Sequence, residues 1–247
     1  MTKILLCGCQ GFMGKTITHI VSESDDATIV AGVDIKNDLT TNYPIFSDIN
    51  DVTEKADVII DFSHPSLLLK ILEYSKKNNV PAVLATTGYS ENDIKTINEY
   101  SKYVPLFFTY NMSLGINLIT ELAVKAKEIL GSGFDIEIIE KHHNKKIDAP
   151  SGTAIMLANA LNSNNEFEYV YDRQSVKKAR SKNEIGICSI RGGTIVGEHS
   201  VIFAGNDEVV EIKHSAYSKK VFAVGAVNAA KWLKSQDKGL YSMKNII

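Results

Sequence analysis

The chain has 247 residues, of which 44% are hydrophobic and 23% charged, with a formal net charge of −2. That much apolar material builds one large packed domain or two of ordinary size, and the near balance of charge excludes the basic surface of a nucleic-acid binder or of a protein held on anionic membrane. No stretch approaches the roughly 18 consecutive apolar residues of a membrane span, and the apolar run ahead of the first glycines is too short for a secretory signal, so a cytoplasmic location is expected.

The first strand, KILLCG, runs into GCQGFMG, which places Gly8, Gly11 and Gly14 at the mouth of a helix read from GFMGKTITHIVSES. Glycines there allow a tight turn that brings backbone N–H groups and a positive helix end against a pyrophosphate. The spacing is GxxGxxG rather than GxGxxG, and taken alone such a turn is equally well explained as chain geometry. The second strand, TIVAGVD, favours a dinucleotide: it ends in Asp34, about 20 residues beyond the turn, where a carboxylate meets ribose hydroxyls. An acid there repels a 2′-phosphate, Lys36 offsets the repulsion, and the choice between NADH and NADPH stays open.

The strands ADVIIDF, PAVLATTG and VPLFFTYN follow, separated by helical spacing in HPSLLLKILEYSKKNN and SENDIKTINEYSKY. Strand and helix in alternation predict βαβ units and a parallel sheet buried on both faces. In such sheets ligands lie beyond the carboxyl ends of the strands, which puts the loops beginning at Ala85 and at Thr109 beside the nicotinamide. The segment Asp61 to Pro65 ends the third strand at the same edge, with Ser63 and Pro65 suited to starting a helix.

Near residue 113 the pattern changes. SLGINLITELAVKAKEIL reads as a long amphipathic helix, and the strand candidates FDIEIIEKHH, FEYVYD, GICSIRGG, EHSVIFAG and DEVVEIKHSA follow with few helical interruptions, as in a mixed or antiparallel sheet. The last helix, KKVFAVGAVNAAKWLKS, is apolar enough to return and cover the first sheet. The predicted fold class is α/β: a Rossmann-type parallel-sheet dinucleotide domain over residues 1–113 and 223–247, and an α+β mixed-sheet substrate and oligomerisation domain over residues 114–222. The three cysteines, Cys7, Cys9 and Cys188, form no CxxC or Cys/His ligand spacing, so reduced structural thiols and no metal site are expected.

The densest chemistry lies in EKHHNKKIDAPSGTA, residues 140–154. Read as a continuing strand, it turns His142 and His143 to opposite faces and leaves His142 and Lys146 on one side. A neutral imidazole beside an ammonium offers proton transfer and anion binding, with Lys146 as the acid. Ser151, Gly152 and Thr153 then open an apolar helix, a positive end suited to a carboxylate or phosphate. Ordinary capping by Ser151 or Thr153 explains the turn alone, but not its conjunction with His-His-Asn-Lys-Lys. A dehydrogenase acting on an aldehyde through a cysteine and a dinucleotide sensor without catalysis are the two rival readings. The first lacks a suitably placed thiol, and the second leaves the His/Lys cluster without a purpose.

These residues resemble the 4-hydroxy-tetrahydrodipicolinate reductase family, whose pattern E-x-H-H-x-x-K-x-D-A-P-S-G-T-A is matched at every defined position from Glu140 to Ala154. Supporting matches cover nearly the whole chain: GCQGFMG, DFSHP, the Thr-Thr-Gly of ATTG, NMSLGIN, RGG, GEHSVIFAG, EIKHSAYS and FAVGAVNAAKWL. The resemblance implies NADH- or NADPH-dependent reduction of a small cyclic dicarboxylate, with loss of water, in diaminopimelate and lysine biosynthesis. It implies His142 as proton donor and acceptor, Lys146 as proton donor, and His143, Gly152 and Thr153 as substrate contacts. Gly8, Cys9, Gln10, Gly11, Phe12, Met13, Asp34, Ala85, Thr86, Thr87, Thr109, Tyr110, Asn111 and Met112 would contact the dinucleotide. Family members are usually homotetramers built through the second domain's sheet. Three departures from the pattern stand out: Ala85 stands for a common glycine, Lys219 and Lys220 for an arginine, and Ile35 for an arginine some members carry. Arg191 and Lys145 are either electrostatic aids, surface charges or subunit contacts.

Overall fold

Along the chain, short apolar β-branched runs become strands and the amphipathic stretches between them become helices. A computed structural model describes residues 1–36, 41–175 and 177–247. In the first part lie β1 (Thr2–Cys7), α1 (Phe12–Ser22), β2 (Ala27–Val33), β3 (Ile45–Phe46), β4 (Val58–Asp61), α2 (Leu68–Asn78), β5 (Ala82–Leu84), α3 (Glu91–Tyr100) and β6 (Pro105–Phe108). Next come α4 (Leu114–Leu130), β7 (Asp135–His142), α5 (Gly152–Leu161), β8 (Glu168–Val170), β9 (Glu184–Arg191), β10 (Gly197–Ala204) and β11 (Val209–Ala216), and last α6 (Lys220–Leu233) and β12 (Gly239–Tyr241). They form two compact units, Met1–Ser113 with Lys220–Ile247, and Leu114–Lys219.

The first unit is built on a parallel sheet of order β12-β6-β5-β4-β1-β2-β3. Alternate residues of β1 serve its two faces, as the two-residue period of a strand demands. Ile4 and Leu6 pack with Ile17 of α1 and with Ala226 and Ala230 of α6, while Leu5 and Cys7 pack with Ile71 and Leu72 of α2 and Ile97 of α3. Strand order reverses about β1, which has β2 on one side and β4 on the other, the place where an open α/β sheet leaves a crevice at its carboxyl edge. The strands β3 and β12 escape a pattern reading because two or three residues show no period. Ahead of α2, the Pro65–Leu67 segment is a single 3₁₀ turn capped by the His64 side chain rather than by Ser63. Ser90 and Asp93 close α3 with a reciprocal capping box.

The second unit carries a mixed sheet of order β11-β10-β7-β9-β8. There β10 runs antiparallel to β7 and β11, while β9 runs parallel to β7 and β8. Ile136 and Ile138 of β7, Ile185 and Ile187 of β9, and Val201 and Phe203 of β10 form its inner face, buried against Ile116, Ile119 and Ala123 of α4 and Leu157 and Leu161 of α5. The same alternation turns Glu140 and His142 inward at the carboxyl end of β7, where both are buried. The apolar layer therefore ends in a polar one, and that is where the candidate chemistry sits.

Candidate active site

In the first unit the glycine turn has the geometry a phosphate cradle needs. Gly8 has φ of 76° and donates its N–H to the Val33 carbonyl at 2.8 Å, and the Gly11 N–H returns to the Gly8 carbonyl at 3.1 Å. A Cβ on Gly8 would lie 2.5 Å from the Phe62 carbonyl oxygen, and one on Gly14 only 2.2 Å from that of Gly8. The absence of side chains lets α1 begin directly on the turn, with Gly11 as its N-cap residue and the backbone of Gln10, Phe12 and Met13 around the helix mouth. The Cys9 side chain points down, buried against Gly32.

Asp34 follows β2 and is tied back to the turn: one carboxylate oxygen accepts the Gln10 N–H at 2.9 Å and the other the Lys36 N–H at 3.2 Å. The Gln10 side-chain Nε2 is buried without a hydrogen-bond partner, an unmet donor at the mouth of the turn. These features fit a bound dinucleotide.

The loops after β5 and β6 reach the same carboxyl edge. Asp61, fully buried at the end of β4, accepts from the Ser63 N–H at 2.9 Å, from Thr86 Oγ1 at 2.9 Å and from Tyr89 Oη at 3.0 Å. It thereby ties the loop holding Thr86 to the strand beside the glycine turn, a role the sequence reading did not assign. Ala85 is buried and donates its N–H to the Asp61 carbonyl. The positive φ of that loop, 87°, belongs to Gly88, so alanine replaces glycine there without strain. Thr87 and Tyr110 are exposed, while Thr109, Asn111 and Met112 form a local turn in which Asn111 Oδ1 accepts the Ser113 N–H at 2.8 Å.

In the second unit the strand read through Asn144 stops at His142. The Asn144 N–H donates to the Gly193 carbonyl and the Lys146 N–H to the His143 carbonyl, so residues 143–146 turn instead of extending. His142 is buried and His143 half-buried, and the turn rather than strand parity brings Lys146 round. Lys146 Nζ pairs with Asp148 Oδ1 at 2.7 Å. Its charge also depresses the basicity of both His142 and His199. Gly152 and Thr153 form the first turn of α5, whose N–H groups point out along the helix axis, and no atom crowds the Cβ position of Gly152. Ser151 caps the helix through a bond from the Ala154 N–H at 3.1 Å.

Glu140 is the hub of this unit. Its Oε1 accepts the Ser151 N–H at 3.0 Å and Arg191 Nη2 at 2.6 Å, while its Oε2 meets His142 Nδ1 at 2.6 Å and Arg191 Nη1 at 2.7 Å. Ser151 Oγ in turn bonds His199 Nε2 at 2.9 Å, and the His142 and His199 rings meet edge to face. Arg191 is therefore a half-buried tie that also holds the Asp148 carbonyl at 2.6 Å, whereas Lys145 is exposed. Glu140 and His199 are both buried on their strands, but nothing in the local sequence marks them as partners.

Burial alone would raise the Glu140 carboxyl, yet hydrogen bonds from Arg191, His142, Ser189 and Ser151 outweigh it and hold the group at about 2. Glu184, bonded chiefly by Arg173, is also held at about 2. A carboxyl depressed below its unfolded value of about 4.3 stabilises the fold above that pH, and the contribution disappears as pH falls through the folded value. Melting temperature should therefore drop steeply between about pH 4 and pH 2. Thermal unfolding followed by circular dichroism would show this, and a flat profile across that window would contradict it. Burial also lowers His142, despite the opposing pull of Glu140, and takes His199 down to about 3, so both rings are neutral at pH 7.

A parallel sheet with a glycine turn and Asp34 after its second strand, joined in one chain to a mixed sheet bearing a His/Lys cluster, is the architecture of a nicotinamide-dependent oxidoreductase. Residues 2–112 match the family described as dihydrodipicolinate reductase, N-terminus, and residues 115–247 match its C-terminus; the chain belongs to this family. Its cofactor is NADH or NADPH. It is similar to the 4-hydroxy-tetrahydrodipicolinate reductase of Clostridium novyi (strain NT), at 50% identity over 249 residues, covering 100% of this chain and 98% of the relative. The enzyme of the same description from Caldanaerobacter subterraneus subsp. tengcongensis is 49% identical over 249 residues, with the same coverage. A solved structure of dipicolinate-bound dihydrodipicolinate reductase from Paenisporosarcina sp. TG-14 superposes with a TM-score of 0.85 at 25% identity, covering 100% of both chains.

Proposed function

We propose that this chain reduces 4-hydroxy-tetrahydrodipicolinate to tetrahydrodipicolinate, with loss of water, in diaminopimelate and lysine biosynthesis, and that His142 and Lys146 carry the proton chemistry. The observation that carries this reading is the folded form of residues 140–154. Glu140 links the His142 ring to the Ser151 N-cap of α5, the Lys146 charge acts on that ring, and the helix N-terminus would suit a substrate carboxylate.

When bound, the nicotinamide supplies the hydride. Every other task falls on the chain's own side chains and backbone. Gly8 to Met13 hold the pyrophosphate, Asp34 the ribose, and the loops at residues 85–87 and 109–112 the nicotinamide end. Gly152 and Thr153 grip one substrate carboxylate and His143 contacts the ring acid. Lys146 Nζ delivers a proton to the charge that develops on the ring, and its contact with Asp148 keeps the ammonium in place.

A cysteine mechanism finds no support. Cys7 and Cys9 are buried, and burial, with a further push from Asp34, takes the Cys9 thiol up to about 11. Cys188 faces outward beside Ile139, away from the inner layer of Glu140 and His142. In this reading the unit Met1–Ser113 with Lys220–Ile247, whose return segment begins three residues before the expected 223, binds the dinucleotide, and Leu114–Lys219 binds the substrate. The outer face of the mixed sheet, with Cys188 and Ile190 exposed, suits assembly into a homotetramer. No helix among the described residues is long and apolar enough to cross a membrane, and work in the cytoplasm is part of the proposal. With enzymatically generated substrate, the absorbance of NADH or NADPH should fall at a rate proportional to enzyme. Loss of neither, with a correctly folded chain, would overturn the assignment.

A further inference from the structure

We propose that Glu140 is a positioning residue which, with Arg191 as its counterion, holds His142 as the Nδ1–H tautomer and presents Nε2 as the nitrogen that bears the lone pair. The proposal rests on the reading that His142 acts at the substrate. It begins from the two Glu140 oxygens, which are surrounded by donors: two guanidinium nitrogens of Arg191, the Ser151 N–H and His142 Nδ1. An ionised carboxylate can only accept, so at a separation of 2.6 Å Nδ1 must be the protonated nitrogen. In a neutral imidazole the other nitrogen then carries the lone pair.

Register explains why this partner is available. Glu140 and His142 sit two residues apart on the inner face of β7, and β9 places Arg191 directly opposite His142. On the other side, β10 brings Gly197 against the ring, where a Cβ would lie 3.1 Å from Nε2. The strand thus keeps side chains away from the nitrogen that must reach a reacting proton. His199 does not compete for the tautomer, because its own Nε2 is engaged with Ser151 Oγ. The remaining charges around the ring are Lys146, from the turn after β7, and Arg191, from β9.

Nitrogen-15 NMR of histidine-labelled full-length protein near neutral pH should show His142 protonated at Nδ1 and unprotonated at Nε2; the opposite tautomer in the unmodified protein overturns the proposal. Glu140→Gln should shift the ring toward a mixture and lower kcat by about 100-fold or more, as losing the orienting acid does in a serine-protease triad, with KM for the dicarboxylate unchanged. Glu140→Asp, which restores the anion, should recover the Nδ1–H tautomer and much of kcat. A merely structural Glu140 would lower melting temperature while leaving the tautomer and the kcat of the folded protein intact, and that result overturns the proposal. If Glu140→Gln does not fold, the spectra of the unmodified protein and Glu140→Asp decide. Absence of turnover in the unmodified protein would refute the proposed function, whereas a reversed tautomer in an active protein would refute only this inference.

Discussion

Lys146→Ala should lose about 10²–10⁴-fold in kcat, the usual contribution of one positioned proton donor, while binding NADH or NADPH as tightly as the unmodified chain. The split follows from placement: the glycine turn and Asp34 belong to residues 1–113, and Lys146 to the unit that spans Leu114–Lys219. The ammonium is held by Asp148 at 2.7 Å and the turn beneath it by the His143 carbonyl, so alanine removes charge and proton without disturbing β7. Lys146→Arg should not restore turnover. Its guanidinium keeps the charge but gives up a proton far less readily, which separates proton delivery from electrostatic attraction. Absorbance assays with generated substrate measure the first quantity and fluorescence titration of the reduced dinucleotide the second. Equal turnover in the alanine variant would remove Lys146 from the mechanism.

Gly225→Ala should lower the melting temperature of the first unit markedly. A Cβ at this position in α6 would lie 1.8 Å from the Met112 carbonyl oxygen and 3.2 Å from Met243 Cε. The first neighbour is backbone, so relief requires moving the helix or the loop. The helix is held by its contacts with β4, β5, β6 and α1, among them the buried residues Ala223, Ala226 and Ala230. Overpacking of this kind costs typically ~1–3 kcal/mol, and in a chain of this size each kcal/mol lowers the melting temperature by roughly 2–4 °C. Displacement of Met112 should also raise KM for the dinucleotide more than for the dicarboxylate. Gly192→Ala is the control, since nothing lies within 4 Å of its Cβ position. An unchanged melting temperature in Gly225→Ala would show that α6 shifts freely, contrary to this packing.

Much of this protein is written in short-range pattern. Short apolar runs such as KILLCG and ADVIIDF form strands of a parallel sheet, and the glycine turn, Asp34 and the run from Glu140 to Ala154 are marked in the sequence itself. These features are local: a glycine near a helix start, a capping serine or a two-residue alternation acts through neighbours a few positions away. A local rule gives way where the chain turns. Extension of β7 past His142 was defeated by the hydrogen bonds of Asn144 and Lys146, so Lys146 owes its place to the chain reversal.

Tertiary structure decided which polar groups became partners. Arg191 reaches Glu140 across 51 residues because β9 lies beside β7, and His199 reaches Ser151 across 48 because β10 lies on the other side. Thr86 meets Asp61 by the pairing of β4 with β5, and Gly225 meets Met112 by the return of α6. Sequence alone determined which chemical groups the chain carries and which short elements hold them. Strand order and register, which depend on the packing of whole faces, determined which groups stand close enough to share a proton.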